Sequence, residues 1–305
     1  MNAILHPLLD AVETASRLPW QALVAGIESL LQDDSVQVPP RLVQALPGGG
    51  SLFVMPALDS QVAITKLITF TPANAGTARP TIQGDVVVFD TATGERRFVL
   101  HGPTVTARRT AAVSALAALR LAPNTQGPLL IVGAGVQGKA HLEAFAEVLG
   151  VKEVMVTSRR ADSAEALAAH ARSMGLQTRV VQDADAALAE CPLAVTCTPA
   201  SSIVLNAPPR PDGFISAVGA FTPTMAELGT ALCHHFAAQG SLFVDTADAA
   251  HEAGDLLQAG LDVAHFATLS DVIRQKIKKP AGPVLFKSCG WAGWDLAAAR
   301  VAGRS

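Results

Sequence analysis

Residues 129–138 read LLIVGAGVQG, an apolar run that ends in Gly133, Ala134, Gly135, Val136, Gln137 and Gly138. The G-x-G-x-x-G spacing is weak by itself, but here it follows a strand-like run and opens a helical pattern over 137–149, the context the motif needs. The first glycine permits a tight turn, the second lets backbone N–H groups approach a pyrophosphate, and the third lets helix and strand pack closely. The helix N-terminus adds partial positive charge that favours the anion. The spacing therefore predicts dinucleotide binding, the alternative being an ordinary glycine-rich turn. About twenty residues past the last glycine, an NAD site offers Asp or Glu to the ribose 2′-hydroxyl. This chain offers Ser158, Arg159 and Arg160 there, and no acid before Asp162. A carboxylate would repel a 2′-phosphate, whereas a hydroxyl and guanidinium forks hold it through charge-assisted hydrogen bonds. NADPH is the expected cofactor and NADH a weaker one; two solvated arginines at a strand end are the alternative.

Three more cations stand out in the first half. Arg41 follows Pro39-Pro40, Lys66 interrupts the apolar run AITKLITF, and Arg109 lies at a helix start in TARRTAAVSAL. A lysine inside an apolar strand costs desolvation unless it is paired or lines a polar pocket. Either it faces solvent from a half-buried strand or it helps bind an anionic substrate, and spacing alone does not join the three. Cys197 and Thr198 end the strand-like run LAVTCT, where a parallel sheet presents its carboxyl edge to a cofactor.

Two scaffolds are needed to position these residues. Residues 1–32 show three- and four-residue apolar spacing and read as helical, ended by Pro39-Pro40. Over 41–100 the texture changes to short strand-like runs, SLFVMPAL, QVAITKLITF, DVVVFD and RRFVLHG, with DVVVFD-TATG-ERRFVL as a hairpin. An Ala-rich helix follows over 104–121, with Thr104 or Thr106 as its expected cap. Beyond 127, strands and helices alternate, which predicts right-handed crossovers and a parallel sheet. The expected fold class is α/β: a Rossmann-type doubly wound parallel sheet over 123–287. A second α+β domain is expected over 1–122, joined by a C-terminal helix within 288–305.

Composition narrows the function classes. A length of 305 residues fits about two domains. Half the chain is hydrophobic, and 26 acids against 23 bases leave a net charge of −3, so no basic field points to nucleic acid. The longest apolar candidate for a membrane span, 111–122, is broken by Arg120, and the N-terminus lacks the pattern of a signal peptide. The expected compartment is the cytoplasm, with no membrane partner. Cys191, Cys197, Cys233 and Cys289 have no metal-ligand spacing and are expected as free thiols, with no metal bound. Tyrosine is absent, which excludes reductases that rely on a tyrosine general acid.

Taken in order, PPR ending at Arg41, VMPA at 54–57, TKLITF around Lys66, TARRTAAVSALAA, GAGVQG, EAGDL at 252–256 and VLFKSCGWAGWDLAAA resemble the ornithine cyclodeaminase/μ-crystallin family. The resemblance runs from residue 39 to residue 299. It implies a homodimer whose β-rich domain makes the dimer contact and part of the active site, and a nicotinamide cofactor held by the second domain. It also implies that Arg41, Lys66 and Arg109 hold a substrate carboxylate; Lys66, the expected catalytic residue, would complete that clamp or relay a proton, and Arg109 and Thr110 are expected to reach the cofactor.

The family divides into cyclodeaminases, alanine dehydrogenases and cyclic ketimine reductases. Cyclodeaminases resemble one another in a GAD-x-PGK-x-EL segment with a catalytic Asp; this chain reads GAFTPTMAEL at 219–228, with Phe221 in the Asp position. Phenylalanine cannot activate water or bind a second amino group. With Ser158, Arg159 and Arg160, this favours NADPH-dependent reduction of Δ1-pyrroline-2-carboxylate or Δ1-piperideine-2-carboxylate to L-proline or L-pipecolate. One methylene is worth only ~1–3 kcal/mol in a pocket, so both rings stay in the expectation. Proline metabolism, with hydroxyproline degradation, is the expected setting, while the pathway that supplies the imine, hydroxyproline or D-lysine breakdown or another, stays open. Alanine dehydrogenase, ornithine cyclodeaminase and a non-catalytic NADPH-binding protein are the alternatives.

Other polar residues have plainer readings. His101 fits a turn histidine bonded to backbone, and His234-His235 point apart. The run RQKIKK at 274–279 fits a solvated helix end, and Glu252 and Asp255 fit structural roles. Asp295 is a weaker candidate for the substrate site.

Overall fold

The computed structural model of the chain describes residues 7–74, 76–200 and 202–304. Residues 1–6, expected to open the helical N-terminal region, lie outside the described residues. Two compact units result, one ending at Arg109 and resuming at Trp291, the other spanning Thr110–Gly290.

The expected continuous helical region up to 32 is broken up. Leu8 forms a parallel bridge with Val99, and two helices follow, α1 (Ala11–Ser16) and α2 (Trp20–Leu31). Asp10 starts α1 through a capping box with Glu13, and Pro19, with its fixed φ, separates the two helices. Five strands then form an antiparallel meander in the order β1 (Leu42–Leu46), β2 (Gly50–Leu58), β3 (Val62–Phe70), β4 (Ile82–Asp90) and β5 (Arg96–His101). The four strand-like runs became β2 to β5; β1 lacked the alternating signal because its residues are mostly exposed. Along β3, Val62, Ile64, Lys66 and Ile68 face the core, while Ala63, Thr65 and Leu67 face outward. The β4–β5 hairpin is tied by the Asp90 carboxylate, which accepts from Ala92 and Thr93 N–H at 3.0 Å each.

The long helix α3 (Gly102–Leu121) starts two residues before Thr104, so neither Thr104 nor Thr106 caps it. The His101 ring takes that place: its Nδ1 accepts from Thr104 N–H and lies 2.8 Å from the Thr104 hydroxyl. Thr106 instead donates to the Gly102 carbonyl at 2.9 Å. The boundary between units falls inside α3, between Arg109 and Thr110, and not after residue 122. Beyond Arg109 the helix bonds into the second unit, where its Ser114 meets His141 and Ser216 at 2.9 Å each.

That unit alternates β6 (Leu129–Val132), α4 (Val136–Leu149), β7 (Glu153–Thr157), α5 (Ala161–Ser173), β8 (Gln177–Val180), α6 (Ala184–Leu188) and β9 (Leu193–Thr196). It continues with β10 (Phe214–Ala217), α7 (Thr230–Gln239), β11 (Ser241–Val244), α8 (Ala249–Glu252), α9 (Gly254–Gln258), β12 (Ala267–Thr268), α10 (Leu269–Arg274) and β13 (Val284–Lys287). The sheet is parallel, in the order β12-β11-β13-β10-β9-β6-β7-β8. Its inner strands are buried along their length, as a sheet covered on both faces requires. The strand VLFK, read in sequence only as a motif, inserts as β13 between β10 and β11.

The chain ends in α11 (Ala292–Ala302), which belongs to the first unit and packs on α2, β2, β3 and β4. Trp294, Leu296, Ala297, Ala298 and Val301 are buried there. Arg300 fixes the helix through Asp33 at 2.6 Å and Asp59 at 2.5 Å.

Candidate active site

Each glycine of the 133–138 turn has a separate steric role. Gly133 has φ +116°, and a Cβ there would lie 2.7 Å from the Cys197 carbonyl. At Gly138 a Cβ would lie 2.0 Å from the Gly133 carbonyl, so only glycine lets α4 pack this close to β6. Gly135 is the opposite case: it is the N-cap of α4, no side chain caps the helix, and a Cβ would meet nothing within 4 Å. Ala134 is half-buried, and Val136 stands exposed beside it. A bare backbone at an uncapped helix N-terminus, with open space before it, fits a pyrophosphate.

α4 is anchored from behind by His141, buried in the unit's interior. Its Nδ1 lies 2.8 Å from the Gln137 carbonyl and so carries the proton, which leaves Nε2 to accept from Ser114. Burial pushes the ring's pKa down to about 4, so the imidazole is neutral.

At the end of β7, Ser158 is half-buried and Arg159 and Arg160 are exposed. Arg160 donates from Nε and Nη2 to Ser163 at 3.0 and 2.7 Å, which ties it to the start of α5. Arg159 has no ion pair or hydrogen bond among the described residues and is the more available guanidinium. Across β6, the Cys197 thiol donates to the Gly133 carbonyl at 3.2 Å, and burial raises its pKa well above the usual thiol value. Cys197 thus braces the glycine turn as an inert thiol. Thr198 directs its N–H and hydroxyl to Glu227 at 2.6 and 2.7 Å.

The first unit brings together the three cations that spacing could not join. Lys66 is 1% exposed, and its Nζ lies 3.1 Å from Asp295 Oδ1. The same oxygen lies 3.5 Å from Arg109 Nε, and Asp295 itself is fully buried in the first turn of α11. Arg41, half-buried ahead of β1, is near enough to act on the Lys66 charge. Burial pushes the Lys66 pKa down to about 8; Asp295 opposes the shift, and Arg109 and Arg41 add to it. Lys66 therefore does not face solvent, and Asp295, the weaker candidate, is the carboxylate that holds the group together. Thr110, next along α3, is buried.

Asp255 and the 274–279 run fall where their plainer readings put them. Asp255 is buried, pairs with Lys287 at 2.6 Å and accepts from Leu228 N–H. The 274–279 run is mostly exposed at the end of α10. Phe221 is half-buried against the apolar core of the second unit. All four cysteines are free, and among the described residues no group of three His, Cys, Asp or Glu could hold a metal. No helix among the described residues is long and apolar enough to cross a membrane.

A parallel doubly wound sheet with an open glycine turn, in a chain whose other, antiparallel unit buries a lysine–arginine–aspartate group, defines a two-unit Rossmann-fold protein. The chain belongs to the ornithine cyclodeaminase/mu-crystallin family, whose model matches residues 7–303. It is 39% identical over 300 residues to Delta(1)-pyrroline-2-carboxylate reductase 2 of Burkholderia ambifaria, covering 97% of this chain and 94% of the relative. It is 38% identical to the Delta(1)-pyrroline-2-carboxylate/Delta(1)-piperideine-2-carboxylate reductase of Azospirillum brasilense, with the same two coverages. The same fold is seen in the Thermococcus litoralis Delta(1)-pyrroline-2-carboxylate reductase, solved with NADH and L-proline. The TM-score is 0.89 at 23% identity, covering 97% of this chain and 96% of that one.

Proposed function

We propose that this protein reduces a cyclic imine carboxylate, Δ1-pyrroline-2-carboxylate or Δ1-piperideine-2-carboxylate, to L-proline or L-pipecolate with NADPH. The observation that carries this reading is the buried pair of Lys66 and Arg109 on Asp295, with half-buried Arg41 near enough to act on the Lys66 charge. Buried Lys66 and Arg109 share one carboxylate, Asp295, so this pair of cations is short of negative charge in a desolvated place. A substrate carboxylate supplies it, held by the guanidinium forks. The names of relatives 38–39% identical over nearly the whole chain support the imine as the group reduced.

The dinucleotide, when bound, supplies hydride from C4 of its nicotinamide to C2 of the imine. Gly133, Ala134, Gly135, Val136, Gln137 and Gly138 would hold its pyrophosphate, and Ser158, Arg159 and Arg160 its 2′-phosphate. Arg109, Thr110, Cys197 and Thr198 complete the proposed cofactor contacts. Arg41 and Arg109 fix the substrate carboxylate and with it the ring, which makes the attack at C2 effectively intramolecular. Lys66 keeps a proton at Nζ near neutral pH and delivers it toward the ring nitrogen, balancing the hydride gained at carbon. Phe221 leaves the Asp position of the 219–228 segment without a carboxylate to activate water, which disfavours ornithine cyclisation.

The proposed assembly is a cytoplasmic homodimer formed through the antiparallel unit. Leu42, Val54 and Leu67 sit in register across β1, β2 and β3 on the face opposite Lys66, and Leu42 and Leu67 are 57% and 47% exposed. An apolar stripe of this kind on a sheet face supports association.

The carboxylate requirement is the test. The kcat/KM for Δ1-pyrroline-2-carboxylate should exceed that for Δ1-pyrroline, the same ring without the carboxylate, by about 10³-fold or more. Comparable turnover of both rings would contradict it.

A further inference from the structure

Sheet order places β6 beside β7 on one side and β9, then β10, on the other. The order reverses between β6 and β9, and a dinucleotide lies across the carboxyl ends of the strands at such a point. On the dinucleotide reading proposed above, the pyrophosphate lies at the start of α4 and the 2′-phosphate at the end of β7. The nicotinamide half then extends over the ends of β9 and β10.

One buried side chain ties those two ends together. Glu227, 0% exposed, accepts four hydrogen bonds. Its Oε1 takes Thr198 N–H at 2.6 Å and the Thr198 hydroxyl at 2.7 Å, both just past β9. Its Oε2 takes the Thr196 hydroxyl at 2.9 Å and Gly219 N–H, just past β10, at 2.7 Å. The approach is close enough that a Cβ on Gly219 would lie 2.4 Å from Glu227 Oε1. The loop it holds is strained: Ala200 has φ +53°, a left-handed conformation that non-glycine residues avoid, and its N–H donates to the Thr198 hydroxyl at 3.1 Å. Glu227 is held in turn by Asp255, which accepts from its N–H and from Leu228 N–H, and Asp255 by Lys287 of β13.

We propose that Glu227 is a positioning residue for the nicotinamide half of the cofactor, holding the loops after β9 and β10 in the arrangement that seats the ring. A carboxylate is required because each oxygen faces a backbone N–H. In Glu227→Gln the amide nitrogen would confront either Thr198 N–H or Gly219 N–H, leaving a buried donor without an acceptor. The adenine side, built from the glycine turn and Arg159, supplies no hydrogen bond to Glu227 and meets this network only through Cys197, which lies against Gly133.

The experiment compares two ligands on the wild-type chain, Glu227→Gln and Thr198→Val. NADPH is titrated by its fluorescence, and 2′-phospho-ADP-ribose, which lacks the nicotinamide, by calorimetry. Glu227→Gln should weaken NADPH by about tenfold or more while the fragment stays within about twofold. Thr198→Val, which removes one donor to Glu227 and the acceptor of Ala200 N–H but preserves the Thr198 backbone bond to Glu227, should show the same split at about threefold, and it carries the test if Glu227→Gln does not fold. Equal weakening of both ligands, or no weakening of NADPH, overturns the proposal. A wild-type chain that binds neither ligand removes the dinucleotide reading, and this role with it.

Discussion

A lysine 1% exposed in the middle of β3 persists because Asp295 lies 3.1 Å from its ammonium, yet burial and two nearby guanidinium groups still lower its pKa to about 8. The free protein therefore carries protonated Lys66 at neutral pH and loses that proton as pH rises through about 8. If this proton helps to hold the carboxylate and is passed to the ring nitrogen, kcat/KM for the imine is level below that pH and declines above it. Lys66→Arg should remove the decline near 8 and keep carboxylate binding, while Lys66→Ala should lower kcat/KM by about 10²–10⁴-fold. A decline near 8 that persists in Lys66→Arg, or near wild-type turnover in Lys66→Ala, would assign the proton elsewhere. Lys66 was legible in the sequence because a cation inside an apolar strand is anomalous, whereas Arg41 and Arg109 were joined to it only by the family resemblance. Their partner was not legible: Asp295 is 229 positions from Lys66, and contact at that separation depends on α11 returning to the first sheet. The available signal was an acid in a helix whose neighbours Trp294, Leu296, Ala297 and Ala298 are all apolar. Glu227 gave less warning, since its role depends on where β9 and β10 end.

The glycine turn can be divided by the space around each position. Gly135→Ala introduces a Cβ that meets nothing in the protein at an ordinary φ of −90°, so Tm should stay within about 2 °C. The added methyl occupies the space proposed for the pyrophosphate, so NADPH affinity should fall about tenfold or more. Gly138→Ala drives a Cβ to 2.0 Å from the Gly133 carbonyl and should lower Tm and NADPH affinity together. Equal losses of Tm in the two variants would mean that the turn is only a packing device. This strand–turn–helix was legible because its signal is local: an apolar run, three glycines and a helical period. The same holds for β2 to β5 and for the alternating strands from β6 to β11. Elements defined by distant partners were harder to read. β1 is a mostly exposed edge strand without alternation, β13 is four residues inserted between strands formed earlier in the chain, and the start of α3 is set by a histidine cap that helix-cap preferences do not favour.

The parallel unit and the antiparallel unit were both expected from the change in texture near residue 127, although their boundary lies within α3 because Ser114 bonds into the parallel unit. With a net charge of only −3, the protein has no strong global field to select ligands. Selectivity has to come from local charge, and the structure concentrates it in two places. One is the buried pair of Lys66 and Arg109 on Asp295 with half-buried Arg41 nearby, and the other is the arginine-bearing end of β7. The central claim is that these sites serve a carboxylated imine and a 2′-phosphorylated dinucleotide. It is tested most directly by following loss of the reduced cofactor's absorbance with Δ1-pyrroline-2-carboxylate and Δ1-piperideine-2-carboxylate, each with NADPH and with NADH. Pyruvate plus ammonium and L-ornithine with NAD serve as the competing substrates. Rapid oxidation of NADPH by at least one cyclic imine, slower oxidation of NADH, and no turnover of ornithine are expected. Faster turnover of pyruvate plus ammonium, turnover of ornithine, or no turnover of either imine would contradict the claim.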